Sequence, residues 1–223
     1  MSTDPVPENF ASVALKPRSA GRPPGRPKDL SLTLKRREDI LEMATQLFAK
    51  KGFRNTDLRA VAEGLGVAKG TIYNYFDSKN DLFFACVQYG MDRLRESVDE
   101  QTVDESDPLR RIKLGIQTYF SYFDEHHDLV ELLIQERAEF KNRVTSTYFL
   151  HWEEHCGPWL ELFASCQKAG IIREDLDIET IHDFVSNQIY GTLFANYFSG
   201  DKRPLKDQAD KILRMVFDGI LTN

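Results

Sequence analysis

From residue 33 to residue 221 the apolar residues recur at spacings of three and four, the period of a helix that buries one face. Strand-like alternation is scarce over the same stretch, so the chain is expected to be all-α. Glycines and capping residues divide the pattern. "TLKRREDILEMATQLFAKKG" (33–52) places Ile40, Leu41, Ala44, Leu47 and Phe48 on one face and stops at Gly52. Thr56 or Asp57 can cap a second, short helix with Leu58, Val61, Ala62 and Leu65 inward. Gly66 permits a tight turn into a third helix, "AKGTIYNYF", where Ile72 and Phe76 lie four apart and Val67 closes the turn. Three short helices with a glycine turn between the last two make a helix-turn-helix.

The remainder reads as a larger helical body. Ser78 opens a long helix beginning "DLFFACVQYGMDRL", and Asp107-Pro108 opens another through Ile112, Ile116, Tyr119, Phe120 and Phe123. Further helices are expected over 128–139, 143–169, 178–198 and 204–221, about nine in all. The expected division is an arm over 1–30, a helix-turn-helix head over 31–78 and a bundle over 79–223.

Charge separates the same parts. Residues 1–80 hold 14 Lys/Arg against 9 Asp/Glu, whereas 81–223 hold 15 against 26. A basic front on an acidic body directs only the front toward a polyanion. Within the arm, "GRPPGRPK" (21–28) supplies Arg22, Arg26 and Lys28 in an extended context that suits a narrow minor groove. A solvated tail is the alternative. No apolar run approaches the length of a membrane span, and residues 1–30 carry no apolar signal core, so the expected location is the cytoplasm without membrane contact. Three scattered cysteines are expected as free thiols.

Lys69, Gly70, Thr71, Tyr73 and Asn74 remain free to face outward from the third helix. A helix fits the major groove, where base edges distinguish all four pairs. Gly70 removes a side chain where the backbone must come close. Lys69 can donate to guanine or phosphate, Asn74 can read adenine, and Thr71 and Tyr73 can fix register on the backbone.

The block "ILEMATQLFAKKGFRNTDLRAVAEGLGVAKGTIYNYFDSKNDLF" (40–83) resembles the DNA-binding domain of the tetracycline-repressor (TetR) family of bacterial regulators. The Phe after the first helix, the Thr at the start of the second, Gly-Val in the turn, the Gly-Thr-Ile-Tyr-x-Tyr-Phe core and Lys79 carry the likeness. It implies that Arg59, Lys69, Gly70, Thr71, Tyr73, Asn74, Tyr75 and Lys79 face operator DNA and that Thr56 anchors a phosphate. For Tyr75 the competing role is packing against the long helix, and for Arg59 a solvated surface charge.

The resemblance further implies a homodimer and a small-molecule effector bound in the body. Two recognition helices about 34–36 Å apart would read a palindrome. The expected interface is the last two helices, with Phe184, Val185, Ile189, Leu193, Leu213, Val216, Phe217 and Ile220 shared between partner and own core. The expected cavity draws on Tyr119, Tyr122, Phe123, Tyr148, Trp152 and Trp159, with Arg137, Asn187 and Gln188 as polar contacts, for a largely apolar effector. Core packing is the competing role for each aromatic. In "HWEEHC" (151–156) the histidines four apart form a workable ligand pair, but Trp152 replaces the Glu of a metalloprotease motif and no third ligand is evident. No cofactor or metal is expected. The rivals are a helical enzyme with an appended DNA-binding head, against which stands the lack of a phosphate loop or nucleophile elbow, and an architectural protein gripping DNA through its arm. Activation is open beside repression.

Overall fold

The computed structural model describes residues 30–200 and 203–220. Among them lie ten α-helices and no β-strand: α1 (Leu30–Lys51), α2 (Leu58–Gly64), α3 (Lys69–Tyr73), α4 (Lys79–Thr102), α5 (Pro108–Glu125), α6 (His127–Glu139), α7 (Thr147–His155), α8 (Gly157–Lys168), α9 (Ile178–Ser199) and α10 (Leu205–Ile220). Arg22, Arg26 and Lys28 fall outside the described residues.

Local chemistry explains most boundaries. Gly52 ends α1 in the left-handed region at φ 80°, and Gly66 makes the α2–α3 turn at φ 64°. Asp57, not Thr56, caps α2, its side chain accepting from Arg59 N at 2.8 Å. Ser78 caps α4 by accepting from Asp81 N, and Asp107 caps α5 ahead of Pro108. The single helix expected over 143–169 is two. It breaks at Cys156, and Pro158 occupies the first turn of α8, where its missing N–H costs nothing. This break brings the count to ten.

One core runs through both parts. α1 packs on α2, α4 and α6, and α5 lies between α4, α8 and α10. Fully buried Phe48 and Phe83 meet edge to face at 5.2 Å; Phe53 meets Phe83 at 5.1 Å and Phe140 at 5.0 Å. These rings join the short helices to α6. The 24-residue α4 serves both parts, burying Leu82, Phe83, Cys86 and Val87 near its start and Met91, Leu94 and Val98 farther along.

Candidate nucleic-acid interface and ligand cavity

The third helix is anchored from behind. Ile72 is fully buried and Phe76 nearly so, while the α2–α3 turn is tied by Val67 N donating to Ala62 O at 2.9 Å. That seating turns Gly70, Tyr73 and Asn74 to solvent, with Tyr73 46% exposed, and leaves Lys69 and Thr71 half-buried. Lys69 Nζ lies 5.6 Å from the centroid of the Tyr73 ring, which steadies both ends of the exposed face. A methyl group placed on Gly70 would meet no atom of the protein within 4 Å. Nothing inside the molecule therefore demands glycine there. Arg59 is exposed on α2, and Tyr75 is half-buried against the core.

Two expected contacts face elsewhere. Thr56 is only 2% exposed, and its hydroxyl is committed to Leu47 O (3.1 Å) and Gly52 O (2.9 Å). It closes the α1–α2 turn, so its side chain is not presented to a phosphate. Lys79 donates from Nζ to Arg54 O at 3.0 Å and lies 4.7 Å over the Phe53 ring, fastening the turn to the start of α4. Burial, more than any charge, holds its ammonium below the usual lysine value.

The body holds a partly open cavity of about 170 Å³ among α4, α5, α7, α8 and α9. Tyr119, Tyr148, Trp152 and Trp159 line it as expected from the sequence. The Tyr119 and Tyr148 hydroxyls bond to each other at 3.0 Å, and burial raises both phenols, Tyr148 to about 12. Trp159 lies against Gly115 of α5 so closely that a methyl group there would fall 2.3 Å from the indole. His151 and His155 also line it, as does His182, which the sequence did not single out. His182 stacks on Trp152 at 5.1 Å, and burial holds its imidazole below the ordinary value, hence neutral at pH 7. His151 and His155 stack at 4.3 Å. Among the described residues no group of three or more His, Cys, Asp or Glu is placed to hold a metal ion.

Five expected lining residues are elsewhere. Phe123 is fully buried core, and Tyr122 points its hydroxyl to Gly90 O at 3.3 Å. Arg137 is exposed and donates to Arg143 O, while Asn187 and Gln188 lie on the outer face of α9. Conversely Val185 and Ile189, expected at an interface, line the cavity. Leu193, Leu213, Val216 and Phe217 are buried in the chain's own core, since α10 packs on α5 with Lys113 over Phe217. The Ile220 side chain lies outside the described residues. Phe184 alone of that set is exposed, and it shares one face of α9 with Gly191, Ala195 and Phe198, the last 69% exposed.

A buried polar joint connects cavity and head. Glu136 of α6, 1% exposed, accepts at Oε1 from Arg143 Nη1 (2.8 Å), Thr147 N (2.9 Å) and Thr147 Oγ1 (3.0 Å). Thr147 begins α7, whose next turns carry Tyr148, His151 and Trp152 into the cavity. One turn along α6, Glu139 takes Arg54 Nε at 2.7 Å, and Gln135 donates to Phe48 O at 2.9 Å. Of the cysteines, Cys86 and Cys166 are buried, and burial pushes their thiols up to about 12 and about 11, far from the thiolate range.

A helix-turn-helix head with an outward recognition helix, set on an all-helical body around a cavity, defines a DNA-binding regulator. Residues 40–86 match the family model of the bacterial regulatory proteins, tetR family. The HTH-type transcriptional repressor KstR2 of Mycobacterium tuberculosis is 24% identical over 190 residues, 83% of this chain and 92% of that one. Among solved structures, the fatty acid degradation regulator FadR from Bacillus halodurans superposes with a TM-score of 0.71 at 19% identity, over 82% of this chain and 94% of that one. FadR from Bacillus subtilis, in complex with stearoyl-CoA, gives 0.66 at 21% identity, over 82% and 98%. The head thus matches the TetR family of bacterial regulators, and the relatives that the chain resembles along most of its length are DNA-binding transcriptional regulators. Among the described residues no helix is long and apolar enough to cross a membrane.

Proposed function

We propose that this protein is a homodimeric repressor that grips a palindromic operator through paired α3 helices and leaves it when a small, largely apolar effector fills the cavity. The observation that carries the reading is the pairing of an outward Lys69–Tyr73 face with an aromatic-lined cavity in one continuous core. A relative crystallised with stearoyl-CoA supports an effector with a substantial apolar part. Lys69, Gly70, Thr71, Tyr73 and Asn74 read or position the operator, with Arg59 and Tyr75 at the margin. The arm residues Arg22, Arg26 and Lys28 add minor-groove or phosphate contacts. Lys79 and Thr56 support the head from within.

The effector acts by binding operator-competent and operator-incompetent arrangements unequally. The joint at Glu136 offers the route, because a shift of α7 is carried through α6 to Arg54 and Phe53. Tyr73→Ala and Lys69→Ala should each weaken binding to the protein's own promoter fragment about tenfold or more, with an unchanged melting temperature. Wild-type affinity in both variants would remove α3 as the reading helix.

A further inference from the structure

Three glycines among the described residues sit where an added methyl group would fall within 3 Å of a neighbouring side chain: Gly64 against Met43, Gly90 against Leu129 and Gly115 against Trp159. Of the three only Gly115 lines the cavity, and Trp159 lines it too. The crowding there is the greatest, with the methyl carbon 2.3 Å from Cη2 of the indole and 2.9 Å from Cζ3. Carbon atoms in ordinary contact lie about 3.5–4.0 Å apart, so the bare backbone of Gly115 is what lets the tip of the ring rest on α5. The other end of that side chain is pinned. Trp159 stands in the first turn of α8, beside Pro158, and its N–H donates to Cys156 O at 3.0 Å.

This seating decides how much room a ligand has. The indole forms part of the wall, and the space left beside it is about 170 Å³. A dry apolar cavity of about 150 Å³ holds a single benzene ring. With a methyl group at position 115 the tip of the indole would have to withdraw by about 1 Å. Interiors are close-packed, so a displaced ring moves to where atoms are missing, and beside Trp159 that space is the cavity. We infer that Gly115 and Trp159 set the size limit of the ligand. The cavity takes a compact apolar group of about one saturated or aromatic ring and rejects a cage, any further part of the ligand lying at the open side. The inference rests on the reading of this cavity as the effector site.

Trp152 and Trp159 are the chain's two tryptophans and both line the cavity, so saturable quenching by a bound bromoalkane reads occupancy. Two probes should be titrated into the full-length protein: bromocyclohexane, a single ring, and 1-bromoadamantane, a cage of the same chemistry. The single ring is expected to bind about tenfold tighter or more. Trp159→Phe, which trims the wall and leaves Trp152 to report, should narrow that preference about tenfold by admitting the cage. Gly115→Ala should weaken bromocyclohexane about tenfold, within the range that overpacking costs, and adding Trp159→Phe to it should restore the affinity. Equal affinity of the wild-type protein for both probes, or a preference that Trp159→Phe leaves unchanged, overturns the size limit and leaves the cavity a ligand site. That result stands whether or not Gly115→Ala folds. A folded Gly115→Ala protein that keeps wild-type affinity, or a loss that the double variant does not recover, overturns it as well. The absence of quenching by either probe, in the wild-type protein and in Trp159→Phe alike, removes the effector-site reading itself, and the inference with it.

Discussion

At position 70 the protein holds a glycine that its own structure does not require. The residue is helical and exposed, and a methyl group there would touch nothing. Alanine is the better helix former by about 1 kcal/mol, so Gly70→Ala should hold or raise the melting temperature. In the proposed complex the same methyl would stand where the backbone comes close to DNA, and affinity for the promoter fragment should fall about tenfold. Scanning calorimetry with fluorescence anisotropy checks the two halves, and a variant that binds normally would show that α3 docks at a greater distance. Other residue roles divide by what defines them. Ile72 and Phe76 were legible because an inward position follows from helical period alone. Thr56 and Lys79 were not, because what consumes them is a carbonyl from another turn, which no local pattern announces.

Among elements, α7 is the one whose separate existence matters most. The stretch 143–169 carries helical periodicity throughout, and periodicity hid the break. The Gly157-Pro158 pair was the available signal, since proline belongs in a first turn and not a helix interior. Split from α8, α7 is a separate piece of nine residues, held at its start by the Glu136 carboxylate. Thr147→Val keeps the shape and the backbone bond but deletes the hydroxyl that Glu136 and Arg143 share. Loss of a buried hydrogen bond of about 1 kcal/mol should lower the melting temperature by roughly 2–4 °C. The operator affinity of the empty protein should stay close to wild type, while the change in that affinity on adding effector shrinks. Anisotropy titrations with and without effector measure both, and an undiminished response would place the coupling outside this joint.

For the molecule as a whole, the proposed dimer raises the question of which surface meets a second copy. The sequence offered a wide apolar stripe on the last two helices without apportioning it, because periodicity shows that a face is buried but not by what. Packing on α5 and around the cavity claims Val185, Leu193, Leu213, Val216 and Phe217. What remains outward on α9 is Phe184, Asn187, Gln188, Gly191, Ala195 and Phe198, two rings with amide and small side chains between them, and on α10 the 80% exposed Met215. Phe198→Glu should therefore give a folded 25.7 kDa monomer in native mass spectrometry, with operator binding lost because paired half-sites need paired heads. Val216→Asp, by contrast, should damage folding, since it buries a charge inside one chain. A dimeric Phe198→Glu protein would move the interface off this strip.

The ring cluster of Phe48, Phe53, Phe83 and Phe140 has a bearing on how mutants of such a regulator are sorted. Because these side chains and α4 belong to both parts at once, the head's buried residues, Ile40, Val61 and Ile72 among them, are continuous with the core of the body. Damage to the cavity then spreads to the head, and in the proposed repressor a weakened sensor would let go of its promoter as a triggered one does. In a reporter strain the two give colonies of the same colour. Screens for constitutive expression in this protein will thus collect unstable chains beside true signalling variants, and only the amount of folded protein per cell tells them apart.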